Sequence, residues 1–453
     1  MKLTEGKIFT TLLKLALPIA AGQVMHMAYN LTDMFWLGRV DADAVAAAGA
    51  AGLFLWLSVG LMLVGRVGAE VGVSQARGKN NIQEAFDFSQ KALYIAAVLG
   101  VVYGLFLLIF RNHLVAFFGF NEVHVARDAA LYAGIMALGT PAMFISSAIG
   151  GTFVASGNSR TPLFVNSAGL IFNMMLTPVF VFVFGLGVFG AAVSSVISQY
   201  TVFIIFVFGI KKFKSRPFEQ YKFLPQTSLM HISTSVRTGT ASKIFKITVP
   251  VALENTIFPL LALVTTRIEV GFGAFALSMS RVATQVESLS WLVGAGFGAA
   301  LTAYVGQNYG AKQFDRIKKG VNYATYFLVG WGLFVTLLLW FGGYMILNIF
   351  LPEFALDPEM MRLFIMNTRI LAACQIFSNL EFVATNTFRG FGKTMPPSVI
   401  GIASNVIRVP LAFVLSWTPL GVMGVWVAVS FTAGLRGLVM YLWYRYQSKK
   451  YMR

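Results

Sequence analysis

The chain has 453 residues, of which 57% are hydrophobic and only 12% charged, with a formal net charge of +17. Soluble domains carry about 25% charged residues. With a mean hydropathy of +0.72, a soluble globular fold is excluded and a polytopic membrane protein is expected. The one cysteine, Cys374, excludes an internal disulfide framework and a cysteine-based metal knuckle, and it reads as a packing residue.

Twelve apolar stretches follow one another, at 10–38, 45–73, 88–110, 126–152, 161–184, 187–210, 246–268, 275–304, 320–348, 361–387, 396–416 and 420–443. Their length and continuity predict helices crossing a hydrocarbon core of about 30 Å, rather than the alternating ten-residue segments of a barrel. The expected fold class is therefore all-α. No small-residue cleavage motif interrupts 12–38, so the first span is expected to stay.

Within that first span His26, Tyr29, Asn30 and Asp33 share one helical face. A carboxylate at membrane depth costs at least about 2.5 kcal/mol, so Asp33 should face a polar cavity or a partner and is a candidate functional residue. In the second span Arg66 and Glu70 stand four apart, the spacing of an ion pair. Asp41 and Asp43, in the turn before it, are too isolated to form a metal site. In the fifth, Asn173 and Thr177 lie four apart just before Pro178, and Ser194 and Ser195 follow in the sixth. With Asp33 these supply one carboxylate and several neutral oxygens, a set suited to a proton or Na⁺, with Asp33 and Asn173 as its candidate ligands. The plainer reading of Asn173, Thr177 and Ser195 is interhelical hydrogen bonding.

Lysines and arginines alternate sides. Lys2, Lys7, Arg77, Lys79, Lys91, Arg160, Lys312, Arg316, Lys318, Lys319, Arg389 and Lys393 fall on one side, with Arg445, Lys449, Lys450 and Arg453. Asp41, Asp43, Glu122, Asp128, Glu269, Glu353, Asp357 and Glu359 fall on the other. The pattern predicts both termini in the cytoplasm, in the inner (plasma) membrane. It also assigns the basic charge to topology and anionic lipid rather than nucleic acid. The polar stretch 211–246, with eight basic residues and one acid, reads as a cytoplasmic linker between an N-lobe (1–210) and a C-lobe (247–453).

The halves repeat. Pro18, Gln75 and Gly78 match Pro250, Gln307 and Gly310 at an offset of 232; Gly157 and Pro162 match Gly392 and Pro397 at 235; Gly187 and Gly190 match Gly421 and Gly424 at 234. An even number of spans per repeat places the pseudo-twofold axis along the membrane normal and the substrate path between the halves. In the second half Glu254, one turn beyond Pro250, is a candidate proton or cation site. Glu287 and Glu381 lie among amides and arginines and are candidates for the cavity wall, as are His26, Tyr29 and Asn30. Arg369 and Arg408 are candidate counter-charges for Glu287 and Glu381, and the sequence does not assign the pairs. No P-loop, paired-histidine zinc motif or nucleophile elbow is present. Neither enzyme activity nor a cofactor is expected, and energy must come from an ion gradient.

Taken in order, Pro18 through Asp33, Gln75-x-x-Gly78, Gly157-Asn158-Ser159-Arg160-Thr161-Pro162, Gly187-x-x-Gly190-Ala191-Ala192, Pro250-x-x-x-Glu254-Asn255, Gly306-Gln307-x-x-Gly310-Ala311 and Arg389-Gly390-x-Gly392-Lys393-Thr394-x-Pro396-Pro397 resemble the multidrug and toxic compound extrusion (MATE) transporters over about residues 8–445. The resemblance implies two six-helix lobes forming a V around a central cavity, and export of organic cations against inward H⁺ or Na⁺. It implies that Asp33 is the ion-binding acid, with Asn173 and Ser195 as neutral partners. Thr177 departs from the pattern, standing where many prokaryotic relatives carry a second carboxylate. Glu254 resembles the seventh-span acid of other members. A monomer with a small-molecule substrate is expected. The rival readings are a lipid-linked precursor flippase, which calls for a cationic cavity, and a membrane-embedded prenyltransferase-like enzyme, which calls for an aspartate cluster that is missing.

Overall fold

The computed structural model describes residues 1–120, 122–212 and 239–452; for Asn30, Leu31, Ala42, Ala274 and residues 209–212 only the backbone is described. Among the described residues every regular element is a helix. The first half comprises α1 (Ile8–Gly38), α2 (Ala42–Gly78), α3 (Ile82–Ala116), α4 (Val123–Ala155), α5 (Arg160–Pro178) and α6 (Gly187–Lys212). The second comprises α7 (Gly239–Val270), α8 (Ala274–Gly310), α9 (Phe314–Phe350), a short α10 (Pro352–Ala355), α11 (Pro358–Ala372), α12 (Gln375–Gly390), α13 (Met395–Ser416) and α14 (Val422–Tyr451). Together they supply twelve helical passes long and apolar enough to span a membrane, the tenth made of α11 and α12.

Several helices overrun the apolar spans at the basic end. α2 continues to Gly78, α8 to Gly310, and α9 begins at Phe314 rather than at 320. At 37 residues each, they are about 55 Å long and must project beyond the hydrocarbon core. Hydrophobicity stops at the interface, whereas backbone hydrogen bonding does not. Of the expected linker, 213–238 lies outside the described residues, and its two ends are helical, since α6 runs to Lys212 and α7 starts at Gly239.

The tenth pass differs from expectation. Instead of one helix over 361–387, it is interrupted at Ala373 and Cys374, with no proline or glycine to mark the spot. Three other side chains take up the carbonyls there: Ser430 bonds Ile370 O, Gln375 Nε2 bonds Leu371 O at 2.8 Å, and Thr336 Oγ1 bonds Ala372 O at 3.1 Å. A break at membrane depth survives only with such substitutes. A milder irregularity follows Pro178, where α5 widens into a π-helical turn (Val179–Val183).

The sequence repeat is also a backbone repeat. The only non-glycine residues with positive φ among those described are Asn80 (54°) and Lys312 (58°), which are equivalent at the offset of 232. Each closes the turn after α2 or α8 in the left-handed region. The pattern recurs at Gly157 (79°) and Gly392 (73°), and at Gly187 (52°) and Gly421 (53°). Packing is duplicated as well: α1 lies on α5 and α8, and α7 on α13 and α2.

The halves are sealed at the end that carries the N-terminus. Gln75 Nε2 on α2 bonds Gly390 O across the interface at 2.8 Å, and Gln307 Nε2 on α8 bonds Ala155 O at 2.7 Å. These bonds exchange places under the repeat, because Ala155 and Gly390 are equivalent at 235. Gly78 and Gly310 let the two helices cross here: a Cβ on Gly78 would strike Gln307 O, and one on Gly310 would strike Gln75 O. A further part of the seal precedes α1; its counterpart at the offset of 232, residues 233–238, lies outside the described residues. Residues 1–6 form a strap that tucks Leu3, fully buried, into a core with Leu12, Leu15, Tyr304 and Phe388. Leu3 N bonds Gln307 Oε1 (3.0 Å), and Arg316 holds the carbonyls of Gly6 (3.1 Å) and Glu5 (3.1 Å).

Candidate functional site

In the first half α1, α5 and α6 converge on Asp33, which is 9% exposed. Thr177 Oγ1 lies 3.4 Å from its Oδ1, and Ser195 Oγ 3.5 Å from its Oδ2. Behind them the polar groups are tightly linked. Ser195 Oγ contacts Tyr29 Oη at 2.8 Å and receives Asn173 Nδ2 at 3.2 Å; Thr177 Oγ1 contacts Ser194 Oγ at 2.9 Å. Asn173, Thr177, Ser194 and Ser195 are all buried. The helical spacing of 173 and 177, just ahead of the widened turn after Pro178, puts both side chains on one face, Thr177 reaching Asp33 of α1 and Asn173 reaching Ser195 of α6. The contacts to the carboxylate itself are long, near the limit for a hydrogen bond. Among the described residues no lysine, arginine or histidine forms an ion pair with Asp33. One negative charge is thus set among neutral oxygens, which suits it to hold a monovalent cation or a proton.

The structure brings Asp33, Asn173, Thr177 and Ser195 together. Tyr29, expected on the cavity wall, belongs to the same cluster. His26 stays exposed and stacks against the Tyr29 ring at 6.1 Å. The side chain of Asn30 lies outside the described residues. Glu254 is not part of this cluster. It sits in the other half, where Ser398 Oγ donates to it at 3.0 Å and it fills the space beside Gly401. Tyr132, buried beside Asp33, gives no periodicity by which to find it, lying in an almost uniformly apolar α4.

Among the described acids of the second half only Glu381 is ion-paired; Glu254, Glu269 and Glu287 are held by neutral donors. Glu381 pairs with Arg436 at 2.8 Å, not with Arg369 or Arg408. Arg369 lies instead over the Trp340 ring at 5.5 Å, and Arg408 Nε bonds Thr432 Oγ1 at 2.9 Å. Glu287 accepts from Gln375 Nε2 at 2.9 Å. Arg66 and Glu70 form the expected pair, at 3.0 Å. One acid was misplaced by sequence. Glu269, expected in an outer loop, is buried and receives Ser280 Oγ at 3.0 Å, because α7 continues past the end of its apolar stretch.

A duplicated twelve-pass bundle with an unpaired buried acid between helices is the architecture of a membrane transporter. The MatE family model matches residues 18–179 and 250–414, one block in each half. The chain therefore belongs to the MatE family of multidrug efflux transporters. It is 25% identical to a probable multidrug resistance protein NorM of Thermotoga maritima, over 92% of this chain and 88% of that one. It is 26% identical to a probable multidrug resistance protein, YoeA, of Bacillus subtilis, over 99% and 96%. A FAD transporter of Shewanella oneidensis is 24% identical over 97% and 95%. Among solved structures, a MOP-superfamily transporter from Pyrococcus furiosus superposes with a TM-score of 0.89 at 18% identity, covering 100% of this chain and 98% of that one. An outward-facing MATE transporter gives the same score, identity and coverage. At such identity the likeness concerns the fold.

Proposed function

We propose that this protein is a secondary antiporter that exports organic cations or drugs, driven by H⁺ or Na⁺ bound at Asp33. The observation that carries this reading is the unpaired, buried carboxylate among neutral oxygens. With Thr177 in place of a second acid, one monovalent ion is enough to neutralise the cluster. Binding is useful only if the ion prefers one state of the transporter, since equal affinity shifts nothing. The reciprocal seal at the N-terminal end supports a state closed on that side. By the distribution of basic residues that side is the cytoplasm, in the inner membrane.

The experiment is ethidium or norfloxacin transport by the protein reconstituted in vesicles, with Na⁺ and pH gradients imposed separately. One gradient should drive efflux in the wild type and fail to do so in Asp33→Asn. Undiminished transport by that variant would remove Asp33 from the mechanism. A second reading, an anionic substrate, is favoured by Arg408, which has no ion pair among the described residues, and by the FAD transporter among the relatives. Competition of ethidium efflux by a flavin dinucleotide separates the two.

A further inference from the structure

A cleft of about 810 Å³ opens between the start of α1 and α9, with Gly6 of the strap at its edge. Three cations line it, Lys7, Arg316 and Lys319, and no acid does. Arg316 spends its hydrogens on neutral oxygens, the carbonyls of Leu3, Glu5 and Gly6 and the side chain of Asn308. Among the described residues neither Lys7 nor Lys319 forms an ion pair, whereas Lys2 and Lys79 do, with Glu5 and Glu84. Three like charges around one hollow repel each other, and an anion in it would relieve all three.

The rest of α9 says which anion. Beyond Arg316 and Lys319 the same face presents Tyr323 and Tyr326, then Leu333 and Leu337, all exposed. Phe9 of α1 joins them, its ring 6.0 Å from that of Tyr323. Cations, then tyrosines, then aliphatic side chains is the order met on descending from a phosphate headgroup through the interface to acyl chains. A free phosphate would have no use for the last two layers.

We propose that this cleft binds the phosphate head of an anionic phospholipid, whose chains lie along α9. Because Arg316 both lines the cleft and holds the strap carbonyls, an occupied cleft braces the N-terminal seal. This consequence rests on the alternating-access reading; the binding itself does not.

The test uses the full-length protein in detergent, with no substrate or gradient, so that it can fail independently of the transport reading. Lipid retention is read by native mass spectrometry and melting temperature by a thermal scan. The additions are phosphatidylglycerol, phosphatidylcholine or millimolar inorganic phosphate. Phosphatidylglycerol should be retained selectively and raise the melting temperature. Lys7→Gln/Lys319→Gln, which spares Arg316 and the strap bonds, should bind it about 30-fold more weakly. In phosphatidylcholine the double variant should melt with the wild type, which establishes its folding. Lys79→Gln, a lysine of the same side, should bind as the wild type does. Equal retention of both lipids, or an unaffected double variant, overturns the proposal. Inorganic phosphate alone reproducing the shift overturns the lipid in favour of a free-anion site.

Discussion

The two halves of the molecule share a backbone and differ in charge at equivalent points. At the offset of 232 Asp33 falls on Thr265, and at 235 Asn173 falls on Arg408. The first half thus keeps a bare acid where the second has a hydroxyl, and an amide where the second has a guanidinium. Elsewhere the correspondence is close: turn conformations, the crossing glycines and the two glutamines of the seal are all retained. Duplication preserved what closes the molecule and changed what fills it. An unpaired charge can respond to an ion, whereas a charge already paired, such as Glu381 with Arg436, contributes order instead.

The sharpest way to break this contrast is Asp33→Asn, for which a loss of gradient-driven efflux of about 100-fold or more is expected at equal protein level. A stability experiment comes next. Glu381→Gln strands Arg436 and should destabilise by about 3 kcal/mol, while Glu381→Gln/Arg436→Met should recover most of it. A double variant as unstable as the single one would mean that the pair does more than compensate itself. In the shared seal, Gly78→Val forces α2 off the Gln307 carbonyl. Hydrogen exchange in residues 1–12 should then quicken by roughly tenfold, as in a locally opened segment. Unchanged protection would show that the strap closes without the crossing. Ser195→Ala should weaken the apparent affinity for the coupling ion by about fivefold, the worth of one hydrogen-bonding oxygen. Thr265→Ala should alter that affinity by less than about twofold. An equal effect at the two positions would erase the distinction between the halves.

Much of this was legible before any coordinates. Apolar length set the passes, and constant offsets exposed the duplication. The cost of a charge in lipid singled out Asp33, and helical spacing placed Asn173 beside Thr177. What escaped is equally physical. The interruption at Ala373 and Cys374 is sustained by Thr336 and Ser430, which reach the carbonyls of Ala372 and Ile370 from other helices. Local composition is silent on such help. Glu269 was misread because hydropathy reports where a helix leaves the oil, not where it stops. The partner of Glu381 could not be chosen among several arginines, since pairing depends on which helices touch.

The interrupted tenth pass has a practical corollary. It shields Cys374, which is 3% exposed, between Leu371 O and Gln375. With its sole thiol withdrawn from solvent, the wild-type chain should be nearly silent to polar maleimides. A cysteine introduced on either side of the bilayer, or a pair carrying spectroscopic probes across the interface, would then report on motion without first rebuilding the protein.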